Sequence, residues 1–176
     1  MSQSYMPVSP LTEDYGTPPE VFDPLNEEFG FTLDVAASDR FHLCEKYFTI
    51  EEDGLEQSWE GHTCWCNPPY NVKDLWAFSK KAVMSAKIYG TTTVLYVPPK
   101  TDQKWWSFLW NLYKNDPEMD IDFRFQRGRT KFVHKEVLKK RVVWRKGVLY
   151  LPTHRIVKDE SSPFPSVAIV VRRRNA

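Results

Sequence analysis

The chain has 176 residues, with 24 lysines and arginines against 23 aspartates and glutamates, and its net charge of +1 taken alone argues against a polyanionic partner. A hydrophobic content of 41% with 15% aromatic residues excludes a wholly disordered chain. No apolar run approaches the roughly 18 residues that a membrane helix needs.

The charge is unevenly spread. Residues 1–60 hold 14 acids and only two bases, Arg40 and Lys46, whereas residues 61–176 hold the other 22 bases and nine acids. An asymmetry of this size predicts a basic surface that meets a polyanion. The length suits one domain, over 15–176. Residues 1–14 are polar, without hydrophobic period, and read as a flexible tail with no secretory signal. Three cysteines cannot make a complete disulfide framework, so a reducing cytoplasm is the expected compartment.

In chain order, Thr17-Pro18-Pro19-Glu20 reads as a capping box, with Thr17 as N-cap and Pro18 at the first helical position. Val21, Phe22, Leu25 and Phe29 follow at helical spacing. Pro24 inside that helix would cost about 3 kcal/mol, so a break after Phe22 and a restart at Asp23 is expected. Gly30 ends the helix. Phe31–Val35 reads as a short buried strand that carries Asp34 and runs into the small residues Ala36, Ala37 and Ser38. Residues 39–62 look irregular. Thr63–Cys66 is a second strand, leading directly into Asn67-Pro68-Pro69-Tyr70. A helix over Val72–Tyr89, closed by Gly90, precedes a third strand over Thr91–Val97. A helix carrying Trp105, Trp106, Leu109 and Leu112 follows. Beyond Pro117 the pattern turns to strands: 121–125, 130–133, 142–143, 148–151 and 167–171. Alternating strands and helices followed by strands alone predict an α/β fold: a mostly parallel sheet flanked by helices, then a strand-rich, antiparallel final third.

Asn67-Pro68-Pro69-Tyr70 is the most specific signal. As a bare tetrapeptide it is only a rigid turn. Its residues also suit methylation of an exocyclic amine, whose lone pair is delocalised into the base. The Asn67 side-chain carbonyl can accept one N–H and the Pro68 carbonyl the second, which aims the lone pair at a methyl donor. Pro68 and Pro69 fix the backbone. Tyr70 offers a ring on which a base flipped from the duplex can stack. The motif ends a strand, where open α/β sheets place their ligands. Upstream, Asp34 ends another strand, where its carboxylate can pair with the α-amino group of S-adenosylmethionine.

Together these features resemble the phage-type DNA N-6-adenine-methyltransferases, the phage Dam family. The resemblance runs from Tyr15-Gly16-Thr17-Pro18 through Phe29–Ser38, Lys46–Thr49, Asp53-Gly54-Leu55, Trp59, Trp65–Tyr70, Pro99–Asp102, Arg124-Phe125, Arg127–Phe132 and Pro163–Ser166. It implies a Rossmann-like S-adenosylmethionine-dependent methyltransferase sheet flanked by helices. The 33 residues from Asp34 to Asn67 make that sheet a reduced one. It implies S-adenosylmethionine as cofactor, with Asp34, Ser38, Thr17 and Pro18 at its methionine part and Asp53 or Phe48 at its adenosine. It implies Asn67, Pro68, Pro69 and Tyr70 at the target adenine, and double-stranded DNA as the partner, with no membrane and no obligate protein partner. It places the protein in a bacterial host's cytoplasm.

Relative to shorter members of that family, residues 133–161 look like an insertion, and the positive charge concentrates around it. Residues 123–158 hold 12 bases and one acid, Glu136. Arg124, Arg127, Arg129, Lys131, Lys139, Lys140, Arg141, Arg145 and Lys146 are the candidate DNA contacts, with Arg172-Arg173-Arg174 adding three charges near the end. Such a run exceeds what protection of an edge strand needs. Cys44, Cys64, Cys66, His42 and His62 match no common metal-ligand spacing, so buried free cysteines and no metal are expected. Two other functions stand beside methylation of DNA adenine: the same chemistry on an RNA amine or a protein glutamine, and a non-catalytic DNA-binding protein that keeps the fold. Presence of both Asn67 and Asp34 favours the enzyme.

Overall fold

In the computed structural model the described residues are 16–132, 143–145, 148–150, 162 and 164–174, with backbone alone for 143–145 and 148–150. Helix α1 spans Pro19–Phe29, one residue later than the capping box predicts. Pro18 is the N-cap, Pro19 takes the first position, and no side chain caps the end. The helix also passes unbroken through Pro24. The hydrogen bond that Pro24 forgoes would have gone to the Glu20 carbonyl, and both residues are exposed, so water can satisfy it. Burial of Val21 and Phe22 holds the helix in place. Gly30 closes it at φ 62°, and its N–H reaches the Asn26 carbonyl at 2.9 Å.

The sheet comprises β1 (Leu33–Asp34), β2 (Lys46–Tyr47), β3 (Thr63–Cys66), β4 (Thr92–Val97), β5 (Met119–Phe125) and a last strand over Val167–Arg173. Two further strands, β6 (Val143–Arg145) and β7 (Val148–Tyr150), pair antiparallel as a separate hairpin, so the last strand is β8. The six-stranded order is β2-β1-β3-β4-β8-β5. The first four run parallel, and β8 is antiparallel to both β4 and β5. β2 lies in the stretch that reads as irregular; two residues are too few for a period to register in sequence. Of the strand expected at 130–133, the described residues 130–132 show a single bridge at Lys131.

Helices α2 (Val72–Tyr89) and α3 (Lys104–Asn115) cover one face of the sheet and α1 the other. The strands alternate accordingly. In β8, Val167, Ile169 and Val171 join the α2/α3 core, and Ala168 and Val170 join the α1 core. Cys64 and Cys66 face α2, whereas Trp65 faces α1 and packs edge-on against Phe22 at 5.3 Å. All three cysteines are free and buried. Among the described residues, no group of three or more His, Cys, Asp or Glu is arranged to hold a metal. No helix among them is long and apolar enough to cross a membrane.

This topology positions the chemistry. Parallel β1, β3 and β4 bring Asp34, Asn67 and Pro98 to one edge of the sheet. β5 runs with β4, so Phe125 and the loop carrying Arg127 and Arg129 emerge at that edge too. Arg172–Arg174 end β8 at the opposite edge, beside the start of β5, and Arg172 pairs with Asp120 at 2.7 Å. The arginine triplet is therefore remote from the edge that carries Asn67. The terminal tail and most of 133–161 lie outside the described residues.

Candidate active site

The Asn67 loop leaves β3 with Pro68 buried and Asn67, Pro69 and Tyr70 partly buried. With one proline N–H missing at each of two successive positions, the loop has few donors of its own, and side chains fix it. The Asn67 amide nitrogen donates to the Thr17 hydroxyl at 3.2 Å. In this orientation the amide oxygen is the group left to accept. The oxygen receives the Tyr70 hydroxyl at 2.6 Å, and a carbonyl oxygen keeps a second lone pair for another donor. The Tyr70 hydroxyl lies 3.3 Å from the Tyr96 carbonyl as well. Lys100 donates to the Tyr70 carbonyl at 2.8 Å, tying the loop after β4 to the loop after β3. Burial holds the Tyr70 phenol well above its ordinary range, with Tyr96 and Cys66 adding to the shift, so Tyr70 stays protonated.

Thr17 thus serves Asn67 and does not cap α1. Its approach depends on Gly16, where a Cβ would stand 2.7 Å from the Phe41 ring.

Asp34 is 3% exposed. Its carboxylate accepts the Leu43 N–H at 3.1 Å and the Ala36 N–H at 3.4 Å. Burial pushes its carboxyl up to about 7, and the two N–H bonds only partly oppose that shift. No cation is paired with it among the described contacts. A buried carboxylate with this balance suits a cationic group brought by a ligand.

Ser38 closes a tight turn, accepting the Phe41 N–H at its side-chain oxygen (3.1 Å). Phe48 donates its N–H to the Asp34 carbonyl at 2.9 Å, and its ring packs on the α2/α3 core. Asp53 is exposed at φ 50° and accepts the Leu55 N–H at 3.0 Å. The turn after it is pressed onto β1: a Cβ at Gly54 would lie 2.1 Å from the Val35 carbonyl oxygen. Thr17 and Asn67 are therefore brought into contact, and Asp34, Phe48 and the Asp53 turn gather around the end of β1. Gly54→Ala is expected to destabilise the protein by about 1–3 kcal/mol through this clash, measured as a lower denaturant midpoint.

A sequence profile of the DNA N-6-adenine-methyltransferase (Dam) family matches residues 6–175. The chain belongs to that family. A stretch of 71 residues, 39% of this chain, is 38% identical to a DNA N-6-adenine-methyltransferase of Escherichia phage T1 and covers 29% of it. A second, of 93 residues and 52% of this chain, is 28% identical to one of Haemophilus phage HP1 (strain HP1c1) and covers 53% of it. The chain spans about half or less of the length of these curated relatives.

Sequence reasoning about this Dam-family chain missed several groups around the motif. Lys100 was part of the resemblance without a role. Gly16 and Gly54 were likewise part of the resemblance without a role. Tyr96, Thr130 and Ser166 form a buried hydroxyl chain behind the motif: Tyr96 bonds Thr130, and Thr130 donates to Ser166 at 3.2 Å. Phe132 and Phe164 pack edge-on against the Tyr70 ring at 6.2 and 5.6 Å. Only side-chain placement across separate segments of the chain reveals such a set.

The expected DNA contacts fall into four groups. Arg124 is engaged within the fold: both terminal nitrogens meet Glu28, Nη2–Oε1 at 2.9 Å, and Nε meets Asp122 at 2.7 Å. These acids hold its guanidinium charged, and it fastens β5 to α1. Arg127 and Arg129 are exposed in the loop after β5, and Lys131 is exposed beside them. Arg145 lies in β6, where backbone alone is described. Lys139, Lys140, Arg141 and Lys146 lie outside the described residues.

Proposed function

We propose that this protein transfers a methyl group from S-adenosylmethionine to N6 of adenine in double-stranded DNA, on a reduced Rossmann-like methyltransferase sheet. The observation that carries the reading is the pairing of Asn67 with Thr17 and Tyr70 at the carboxyl edge of parallel strands. In the orientation observed the Asn67 amide donates to Thr17 and turns its oxygen to the Tyr70 hydroxyl. That amide oxygen is held as an acceptor, which is what an amine N–H requires. The Pro68 carbonyl supplies the second acceptor. Together they orient the amine and raise the availability of its lone pair. The Tyr70 ring supplies a stacking face for the extrahelical adenine. The protonated phenol is no base, so the amine's proton leaves to solvent.

The donor set around β1 fits the cofactor. Asp34, buried and without a cation partner among the described residues, would hold the α-amino group, with Ser38, Thr17 and Pro18 beside it and Phe48 and Asp53 toward the adenosine. When bound, S-adenosylmethionine supplies a methyl group activated on a sulfonium. Asn67, Pro68, Pro69 and Tyr70 remain the proposed catalytic group. The proposed site of action is the cytoplasm of a bacterial host. The RNA-amine, protein-glutamine and non-catalytic readings receive no specific support from the geometry.

The deciding test incubates the protein with unmethylated duplex DNA and methyl-labelled cofactor, then digests the DNA to nucleosides. Label in N6-methyladenine is the expected result. Label recovered in structured RNA or protein but not in DNA would move the substrate, and cofactor binding without transfer to any acceptor would end the enzymatic reading.

Basic residues contact phosphates in this reading. Replacing Arg127 and Arg129 together by alanine is expected to weaken DNA binding and to reduce the slope of log affinity against log salt by about two. Cofactor affinity should stay unchanged by calorimetry, because neither arginine approaches Asp34.

A further inference from the structure

A second feature lies at the same edge of the sheet and has no part in the chemistry above. Thr101, Trp106, Ser107, Trp110, Asn111 and Phe125 line a cleft of about 460 Å³ between α3 and the end of β5. Trp110 is 41% and Phe125 65% exposed, which is unusual for rings of this size. Trp106 forms the buried floor and packs on Phe125 at 6.4 Å.

We infer that this cleft is a binding site for an unpaired nucleobase of the DNA substrate, distinct from the target adenine. The inference rests on the DNA-substrate reading above. Three observations carry it. The walls combine exposed aromatic faces, on which any base can stack, with the Ser107 and Thr101 hydroxyls and the Asn111 amide, which suit a base edge. Positive charge is close in the chain: Arg127 and Arg129 follow Phe125 by two and four residues and are exposed. An apolar site with cations close in the chain complements a base attached to a phosphodiester backbone and disfavours an apolar protein surface. The location is also suitable. Thr101 adjoins Lys100, whose ammonium group bonds the Tyr70 carbonyl at 2.8 Å, so one lysine side chain separates the cleft from the adenine-binding loop.

Extrusion of an adenine leaves its partner unpaired and its neighbours partly unstacked. A stack for one of those bases offsets part of the unpairing cost and holds the duplex open. The cleft therefore acts on binding of distorted DNA, not on the methyl group.

The test compares affinity for two short duplexes, one fully paired and one with a single unpaired base opposite an abasic site. The wild type should prefer the second by about tenfold, within the range of one base–aromatic stack. Trp110→Ala with Phe125→Ala should lose that preference while binding the cofactor as the wild type does. Trp110 packs on Phe123 and Tyr113 and Phe125 on Trp106, so some stability should be lost, and a thermal midpoint well above the assay temperature shows that the fold survives. Trp110→Phe should retain most of the preference. Equal preference in wild type and double variant overturns the site. A wild-type dimer that the double variant converts to monomer also overturns it, and assigns the cleft to a second copy of the chain. Absence of DNA binding by the wild type would instead remove the underlying substrate reading.

Discussion

Asn67→Ala is expected to lower the turnover number for adenine methylation by about 100-fold or more, the scale of losing a positioning contact in a reaction that depends on alignment. The loop itself should persist. Pro68 and Pro69 still restrict the backbone, Lys100 still bonds the Tyr70 carbonyl, and the Tyr70 hydroxyl keeps the Tyr96 carbonyl 3.3 Å away. The loss should therefore appear in turnover, with cofactor affinity and thermal midpoint near those of the wild type. Asn67→Asp provides the internal control. It keeps an acceptor but surrenders the donor to Thr17, so activity should lie between wild type and alanine variant. Single-turnover kinetics with excess enzyme separates the chemical step from DNA release. Full activity in Asn67→Ala would assign the amine's acceptors elsewhere.

The second large effect concerns Asp34. With its carboxyl pushed up to about 7 by burial, the group is neutral in much of the folded population below that pH. Pairing with an ammonium group requires the charged form. Cofactor affinity should therefore fall about tenfold per pH unit below 7 and level off above it. Calorimetry from pH 5 to 8, in buffers of different ionisation enthalpy, should show proton release on binding at pH 6 and little at pH 8. Asp34→Asn should flatten the profile and weaken binding on the order of 100-fold at pH 8.

The same variant should be more stable than the wild type at high pH. A carboxyl whose folded pKa is raised contributes stability that is fully present below the ordinary aspartate range, near 3.8, and lost as pH rises through about 7. Removing it removes that loss. The gap in thermal midpoint should widen from pH 4 to 8. Weak binding and higher stability in one variant are the opposite of what a purely structural aspartate would give.

The sequence made the parallel core legible because its strands end in chemically distinctive residues. Asp34 and Asn67 were both assigned from their positions after apolar runs, and the register Asp34↔Trp65 places them on one edge. Helices α2 and α3 were readable from period and from Gly90. Three things escaped. Thr17 looked like a helix cap, since a threonine ahead of two prolines fits that pattern; its contact with Asn67 lies 50 residues away in sequence. Strand β2 was too short for any period. Arg124 counted as one more cation in a basic run, whereas Glu28, 96 residues upstream, claims it. Net charge along a chain cannot tell an arginine that meets solvent from one paired across the sheet. The same blindness hid the acids beside Arg172 and the opposite placement of that triplet.

Thr130 and Ser162 are joined by the Ser162 N–H and the Thr130 carbonyl at 2.9 Å, and the Thr130 hydroxyl reaches Ser166. Residues 130 and 162 are thereby held together near Tyr70, whatever the length of chain between them. The ends of that chain are fixed by bonds it does not supply. Doubling the length of such an excursion costs only about 0.6 kcal/mol in closure entropy. Length added between these two residues, beyond Phe132 whose ring packs on Tyr70, should therefore cost the fold little, read as a nearly unchanged thermal midpoint.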